Sequence, residues 1–201
     1  MKINQKNVWD KIAENWNDYR KKPFQEVIEF LKNKKGKILD VGCGSGRNFI
    51  KNEGLEFYGV DFSQKMLSLA EKNAEEKNIK VELKPMEDEK IPYENNFFDY
   101  ILCISVLHCI ETKEKREKLI DEIKRVLKKD GQALISVWSK NNKKTKGKLK
   151  EAFIPWKIEG KEYLRYYYFY DLNELEEILK KKKFKILEKK ENENIWFLIK
   201  K

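Results

Sequence analysis

The sequence predicts a doubly wound α/β protein built on a mostly parallel sheet. Three observations carry that expectation. Short apolar runs alternate with helical periods between residues 37 and 138, a glycine-rich turn directly follows the first of those runs, and the chain closes on two apolar runs flanking Glu191-Asn-Glu-Asn194. Repeated strand, helix, strand units join parallel strands across a sheet, so helices are expected on both faces. The last two runs read as an antiparallel hairpin.

Residues 4–34 read as two helices. Val8, Ile12 and Trp16, then Val27, Ile28, Phe30 and Leu31, recur at helical spacing, and Pro23 is tolerated in the first turn of the second helix. Strands follow at 37–41, 57–60, 80–83, 98–105 and 132–138, with helices at 64–76 and 113–128. The Lys-rich stretch 139–150 reads as an exposed loop. Residues 151–170 form a structured aromatic segment, 172–181 a helix, and 184–188 and 195–199 the hairpin. One domain is expected over 1–201: N-terminal helices over 1–35, a core at 37–138, a basic and aromatic insertion at 139–170, and the terminal helix and hairpin at 171–201.

The hydrophobic fraction of 40% is concentrated in those short runs. None approaches the roughly 18 apolar residues of a membrane span, and residues 1–10 lack the apolar stretch of a secretory signal, so a cytoplasmic protein with no membrane partner is expected. The cysteines, Cys43, Cys103 and Cys109, are odd in number and lack metal-ligand spacing, which indicates neither a disulfide framework nor a metal site. Net charge is +10, and residues 140–201 hold 18 basic and 10 acidic groups. Such a field favours encounter with a polyanion, nucleic acid first, although 39% charged residues rich in Lys and Glu also suits a protein from a hot habitat.

The strongest signal is Asp40-Val-Gly-Cys-Gly-Ser-Gly46 directly after a strand. Gly42, Gly44 and Gly46 remove side chains where a cofactor can lie against backbone at the carboxyl end of the sheet, with Cys43 between them. A dinucleotide needs G-x-G-x-x-G, and here the sixth position is Arg47, so the fit to a pyrophosphate is poor. Asp40 would repel a pyrophosphate but favour the ammonium and sulfonium of S-adenosylmethionine. The next strand ends at Asp61, followed by Phe62, where a carboxylate can accept two ribose hydroxyls. Glu87 or Asp88, after the third strand, sits where an acid can take the adenine amino group, and Ser105 closes the fourth strand beside the same ligand.

Together with Gly59-Val-Asp61, Ile91-Pro92 through Phe98-Asp99 and Lys128-Lys-Asp-Gly-Gln-Ala-Leu134, that turn resembles the class I S-adenosylmethionine-dependent methyltransferases. The resemblance implies a seven-stranded, Rossmann-like sheet and S-adenosylmethionine as cofactor. Tyr19-Arg-Lys-Lys-Pro23, Val106-Leu-His108, Gly131 through Trp138, Phe153-Ile-Pro-Trp156 and Arg165-Tyr-Tyr-Tyr-Phe-Tyr170 resemble a narrower group, the tRNA wobble-uridine 5-carboxymethyl methyltransferases. One departure is His108-Cys109, where those relatives carry two histidines. The narrower resemblance implies tRNA and a small zinc-binding activator protein as partners.

A carboxylate acceptor is ionised at neutral pH, so methyl transfer to it needs positioning rather than a base. Arg20 and Arg165 are candidates to grip it with paired hydrogen bonds, Arg20 alternatively the carboxylate of the cofactor. His108, just past the fourth strand, is expected to orient the substrate. Trp138 and the tyrosines at 166–168, Tyr166 among them, are expected to stack on a flipped-out base, although alternation puts about half of the aromatics at 166–170 in the core. The run from Lys140 to Lys150 would then contact phosphates.

Overall fold

The computed structural model describes residues 3–143, 145 and 147–201. Along the chain run helices α1 (Gln5–Tyr19) and α2 (Gln25–Leu31), strands β1 (Gly36–Val41) and β2 (Leu55–Asp61), and helix α3 (Gln64–Glu76). Strands β3 (Val81–Pro85) and β4 (Phe98–Ile104), helix α4 (Lys113–Val126) and strand β5 (Leu127–Trp138) come next. Strands β6 (Glu151–Ile158) and β7 (Lys161–Tyr168), helix α5 (Leu172–Lys181), and strands β8 (Lys185–Glu191) and β9 (Asn194–Lys200) complete the order. Seven strands form one sheet in the order β3-β2-β1-β4-β5-β9-β8. β1 to β5 are parallel, and β9 runs antiparallel to both β5 and β8.

The two-residue period of the strands splits the interior into two cores. Leu39, Val41, Ile101, Cys103, Ile135 and Val137 face α4 and α5, burying Leu119, Ile120, Ile123, Leu175 and Leu179. Ile38, Leu102, Ile104 and Leu134 face the other way, onto Val27, Phe30, Leu67 and Ala70 of α2 and α3. Side-chain caps from Asn4, Ser63, Thr112 and Asp171 start the four longer helices, each accepting from a backbone amide of the first turn. No helix among the described residues is long and apolar enough to cross a membrane.

One reading of the sequence needs correction and another gains detail. The helix expected over 113–128 stops at Val126, because Leu127 is already extended (φ −72°, ψ 133°) and pairs with Phe98, so β5 begins five residues before the expected 132. The segment 151–170 contains an antiparallel ribbon, β6 on β7, closed by Glu159 (φ 48°) and Gly160 (φ 79°). The Glu-Gly pair between two eight-residue runs is the two-residue turn signal that marks such a hairpin.

Helix α1 bridges the sheet layers and the ribbon, packing on both α3 and β7. Buried Gln5 donates from Nε2 to the Leu164 carbonyl (3.3 Å) and accepts at Oε1 from the Tyr166 amide (2.9 Å). Gln5→Leu keeps the volume but strands both backbone groups. It should lose about 1–3 kcal/mol of stability in urea unfolding, with faster exchange of the Tyr166 amide.

Candidate active site

A cleft of about 680 Å³ opens at the carboxyl ends of β1 to β4, within the range of about 300–1,000 Å³ usual for cofactor sites. The glycine turn forms part of its wall, and its three glycines do different jobs. Gly44 (φ 54°) would carry a Cβ that meets nothing within 4 Å, so its bare backbone faces open space in the cleft. Gly42 (φ 64°) also lines it, but a Cβ there would strike Val106 at 2.5 Å. Gly46 (φ 76°) is turned against Phe49 and Ala70, where a Cβ would sit 2.7 Å from the ring. Gly46 is not among the cleft-lining residues, and what requires a glycine there is packing. Cys43 buries its side chain in the α2–α3 core and offers the cleft only its backbone side.

Asp61 lines the cleft with both oxygens anchored, Oδ2 accepting from the Gly44 amide and Oδ1 from the Ser63 amide, each at 2.9 Å. Burial pushes its pKa up to about 6 against those amides. Ser63 in turn donates to Asp10 of α1 at 2.5 Å. Asp40, 1% exposed, accepts from Asn48 at Oδ2 (3.1 Å), while Oδ1 has no partner. Burial raises its pKa to about 7, opposed by Asn48 and Arg47. Asn48 and Arg47 line the cleft; Asp40 itself does not.

Phe62, Glu87, Asp88 and Ser105 line the same cleft. Ser105 takes a positive φ of 64°, donates its amide to the Ser136 carbonyl (2.9 Å), and accepts the Cys109 thiol on its own carbonyl (3.6 Å). Asp88 (φ 48°) and Glu89 (φ 56°) make a tight turn that Lys115 closes through an ion pair with Glu89 at 3.4 Å.

The expected acceptor residues separate into two sets. Arg20, at the end of α1, lines the cleft with its guanidinium 4.9 Å over Trp16 and its buried Nε unpartnered. Arg165, 4% exposed on β7, lies among Trp156 (4.9 Å), Tyr167 (5.1 Å) and Trp16 (5.3 Å), donates from Nη1 to the Tyr167 hydroxyl (2.7 Å), and also leaves Nε without a partner. His108, 1% exposed, accepts the Trp138 amide on Nδ1 (3.0 Å). Its ring stacks on Tyr167 at 5.2 Å, and burial, then Arg165, depress its pKa to about 3. The ring is therefore neutral, with its proton on Nε2.

Trp138 is half-buried behind the cleft with Tyr167 stacked 4.7 Å away, so one of its faces is already occupied. Tyr166 is the second correction. Strand alternation turns it to the opposite side of β7 from Arg165 and Tyr167, into the α4 core, where its hydroxyl accepts from Arg116 at 3.4 Å. All five aromatics at 166–170 are buried. Lys144 and Lys146 of the basic run lie outside the described residues; Lys140 and Lys150 pair with Asp171 and Glu174.

Several cleft residues were not singled out from the sequence: Trp9, Trp16, Arg47, Asn48, Glu89 and Lys115. For the first two a signal exists. Gln5, Trp9, Trp16 and Arg20 fall within one helical stripe, which a reading of Val8, Ile12 and Trp16 as one apolar face passes over.

A model of the methyltransferase domain family matches residues 39–135. In fold, an S-adenosylmethionine-dependent methyltransferase from Methanosarcina mazei superposes with a TM-score of 0.72 at 20% identity, over 90% of this chain and 98% of that one. The chain has the class I S-adenosylmethionine-dependent methyltransferase fold. In sequence it is related to the tRNA carboxymethyluridine enzymes. The tRNA (carboxymethyluridine(34)-5-O)-methyltransferase of Schizosaccharomyces pombe is 28% identical over 96% of this chain and 93% of its own. The probable tRNA methyltransferase 9B of Homo sapiens is 29% identical over 75% of this chain but 32% of its own, so the present methyltransferase spans about a third of that relative.

The residues present fit the cofactor of this class. Each Asp61 oxygen retains a lone pair for a hydroxyl, the bare backbone at Gly44 leaves open space in the cleft, and Asp40, buried outside the lining with one oxygen unpartnered, adds a carboxyl whose ionised form favours a cationic group.

Proposed function

We propose that this methyltransferase esterifies the carboxymethyl group of a modified wobble uridine in tRNA. The observation that carries the reading is two arginines without a carboxylate partner, Arg20 lining the cleft and Arg165 buried on β7 outside that lining. Among the described residues the one arginine in a salt bridge is Arg125, to Glu122; Arg20 and Arg165 contact the same indole, Trp16, and each leaves Nε unpartnered. Guanidiniums held without a carboxylate partner are prepared for an external one, and a fork of parallel hydrogen bonds suits a carboxylate acceptor. The near full-length correspondence to the fission yeast enzyme supports tRNA as the bearer of that carboxylate.

Bound S-adenosylmethionine supplies an electrophilic methyl group on a sulfonium. Arg20 and Arg165 would hold the acceptor carboxylate in line with that methyl group, leaving one carboxylate oxygen free to take it. No proton moves, which agrees with a His108 that stays neutral far below pH 7. His108 fixes the end of β5 through the Trp138 amide and backs Tyr167, which in turn holds Arg165. Asp40 and Asp61 orient the donor, and α1 shields the cleft from water through Trp9 and Trp16.

We extend the proposal to a small zinc-binding activator protein seated along an edge of the sheet, and to a cytosolic site of action. The test incubates the protein, with and without the activator, with methyl-labelled cofactor and tRNA. Label on tRNA that mild base releases is the expected result. Base-stable label, or label that survives ribonuclease on a small metabolite, overturns it.

A further inference from the structure

The tryptophans that pack on Arg165 continue outward as a ladder of rings. Trp9 contacts Trp16 at 5.0 Å between centroids, Trp16 contacts Trp156 at 5.0 Å, and Trp156 contacts Tyr19 at 6.0 Å. The first two line the cleft, whereas Tyr19 is 70% exposed at the C-terminal end of α1. The ladder therefore joins the reaction cleft to solvent along one side of α1 and the ribbon. Its outer end is basic, since exposed Lys21 and Lys22 immediately follow Tyr19 and Arg20. The one ion pair there, Lys21 to Asp18 at 3.9 Å, is long and between side chains each 68% exposed. Such a pair contributes little and is readily exchanged.

Packing does not explain Tyr19. A ring 70% exposed adds little to the core, and its neighbour Trp156 already satisfies its indole N–H on Asn15 at 2.8 Å, so only ring surface remains to offer. An aromatic platform flanked by cations and continuous with the cleft has the chemistry of a track for unpaired nucleotides: rings stack bases and lysines meet phosphates. We infer that Tyr19 and the outer edge of Trp156, flanked by Lys21 and Lys22, form a stacking platform for an unpaired RNA base next to the methylated one. This rests on the tRNA reading above and adds to it the surface that grips the neighbouring nucleotide.

Binding of an anticodon stem–loop RNA without cofactor, together with esterification of tRNA, tests it. Tyr19→Ala should weaken binding by about tenfold or more, the range expected for loss of one base–aromatic stack, while Tyr19→Phe, which keeps the ring, restores it. Leu187→Ala, an exposed apolar residue on the far edge strand β8, serves as the control and should bind like the parent. Raising salt should weaken parent and Tyr19→Ala together, leaving their ratio in place. Tyr19→Ala binding as tightly as the parent while tRNA is still esterified overturns the platform and leaves the proposed function standing. A parent that neither binds nor methylates RNA overturns both. Loss of a protein partner in Tyr19→Ala, with RNA binding intact, assigns the surface to that partner and overturns the platform.

Discussion

Asp40→Asn is expected to bind cofactor about a hundredfold more weakly and yet, without cofactor, to melt at a higher temperature than the parent near pH 8. Both effects have one cause. Asp40 is buried with Oδ1 unpartnered, and burial holds its pKa at about 7 rather than the ordinary 3.8. A carboxyl whose pKa is higher in the folded state contributes stability that is complete below the ordinary value and is lost as pH rises through about 7. Above that point the empty protein holds an ionised, half-partnered carboxylate, and the neutral amide removes the cost. The Tm should rise by several degrees, each kcal/mol being worth about 2–4 °C in a domain of this size. A ligand bearing an ammonium reverses the balance, because it favours the ionised acid. Affinity of the parent for S-adenosylhomocysteine should therefore climb between about pH 6 and pH 8, while that of the variant stays flat. Calorimetry across pH, paired with melting curves of the empty proteins, reads both. Equal affinity in variant and parent would remove Asp40 from the cofactor site.

Arg165→Lys should lower kcat/KM for tRNA by about a hundredfold or more and leave cofactor affinity unchanged. Lysine preserves the charge but not the planar fork. The guanidinium lies among Trp16, Trp156 and Tyr167 and is steered by the Tyr167 hydroxyl; an ammonium can meet a ring or that hydroxyl but cannot also present two parallel donors from one plane. Steady-state kinetics with tRNA, and separate titration with S-adenosylhomocysteine, distinguish the two substrates. Near-parental turnover in Arg165→Lys would show that charge alone suffices and that no two-pronged grip exists.

Much of this arrangement is legible in the residues themselves. The alternation of Ile38 with Leu39 and of Cys103 with Leu102 announces a sheet buried on both faces, and the structure divides those positions between two cores. Asp40, Gly44 and Asp61 are legible because strand ends and a side-chain-free turn are local features. What escapes is phase. In the unbroken run Arg165 to Tyr170 every position is apolar or aromatic after the arginine, so alternation pairs Tyr167 with Arg165 but nothing in the run says that the side of Tyr166 is the one that enters the α4 core. The α1 stripe is hidden for a related reason. A tryptophan facing a cleft and a valine facing a core have the same period, and only the partner across the gap tells them apart. Gly46 shows the limit of motif reading: it fits the pattern of a cofactor turn, but what requires a glycine there is the ring of Phe49.

The clamp between α1 and β7 also bears on how the molecule matures. Gln5 and Tyr166 are 161 positions apart, so the first helix leaves the ribosome long before the strand it must grip. The reaction chamber is consequently assembled late, when the ribbon emerges and locks the waiting helix in place. A nascent chain shorter than that carries Asp40 and Asp61 but lacks the strand on which Gln5 closes.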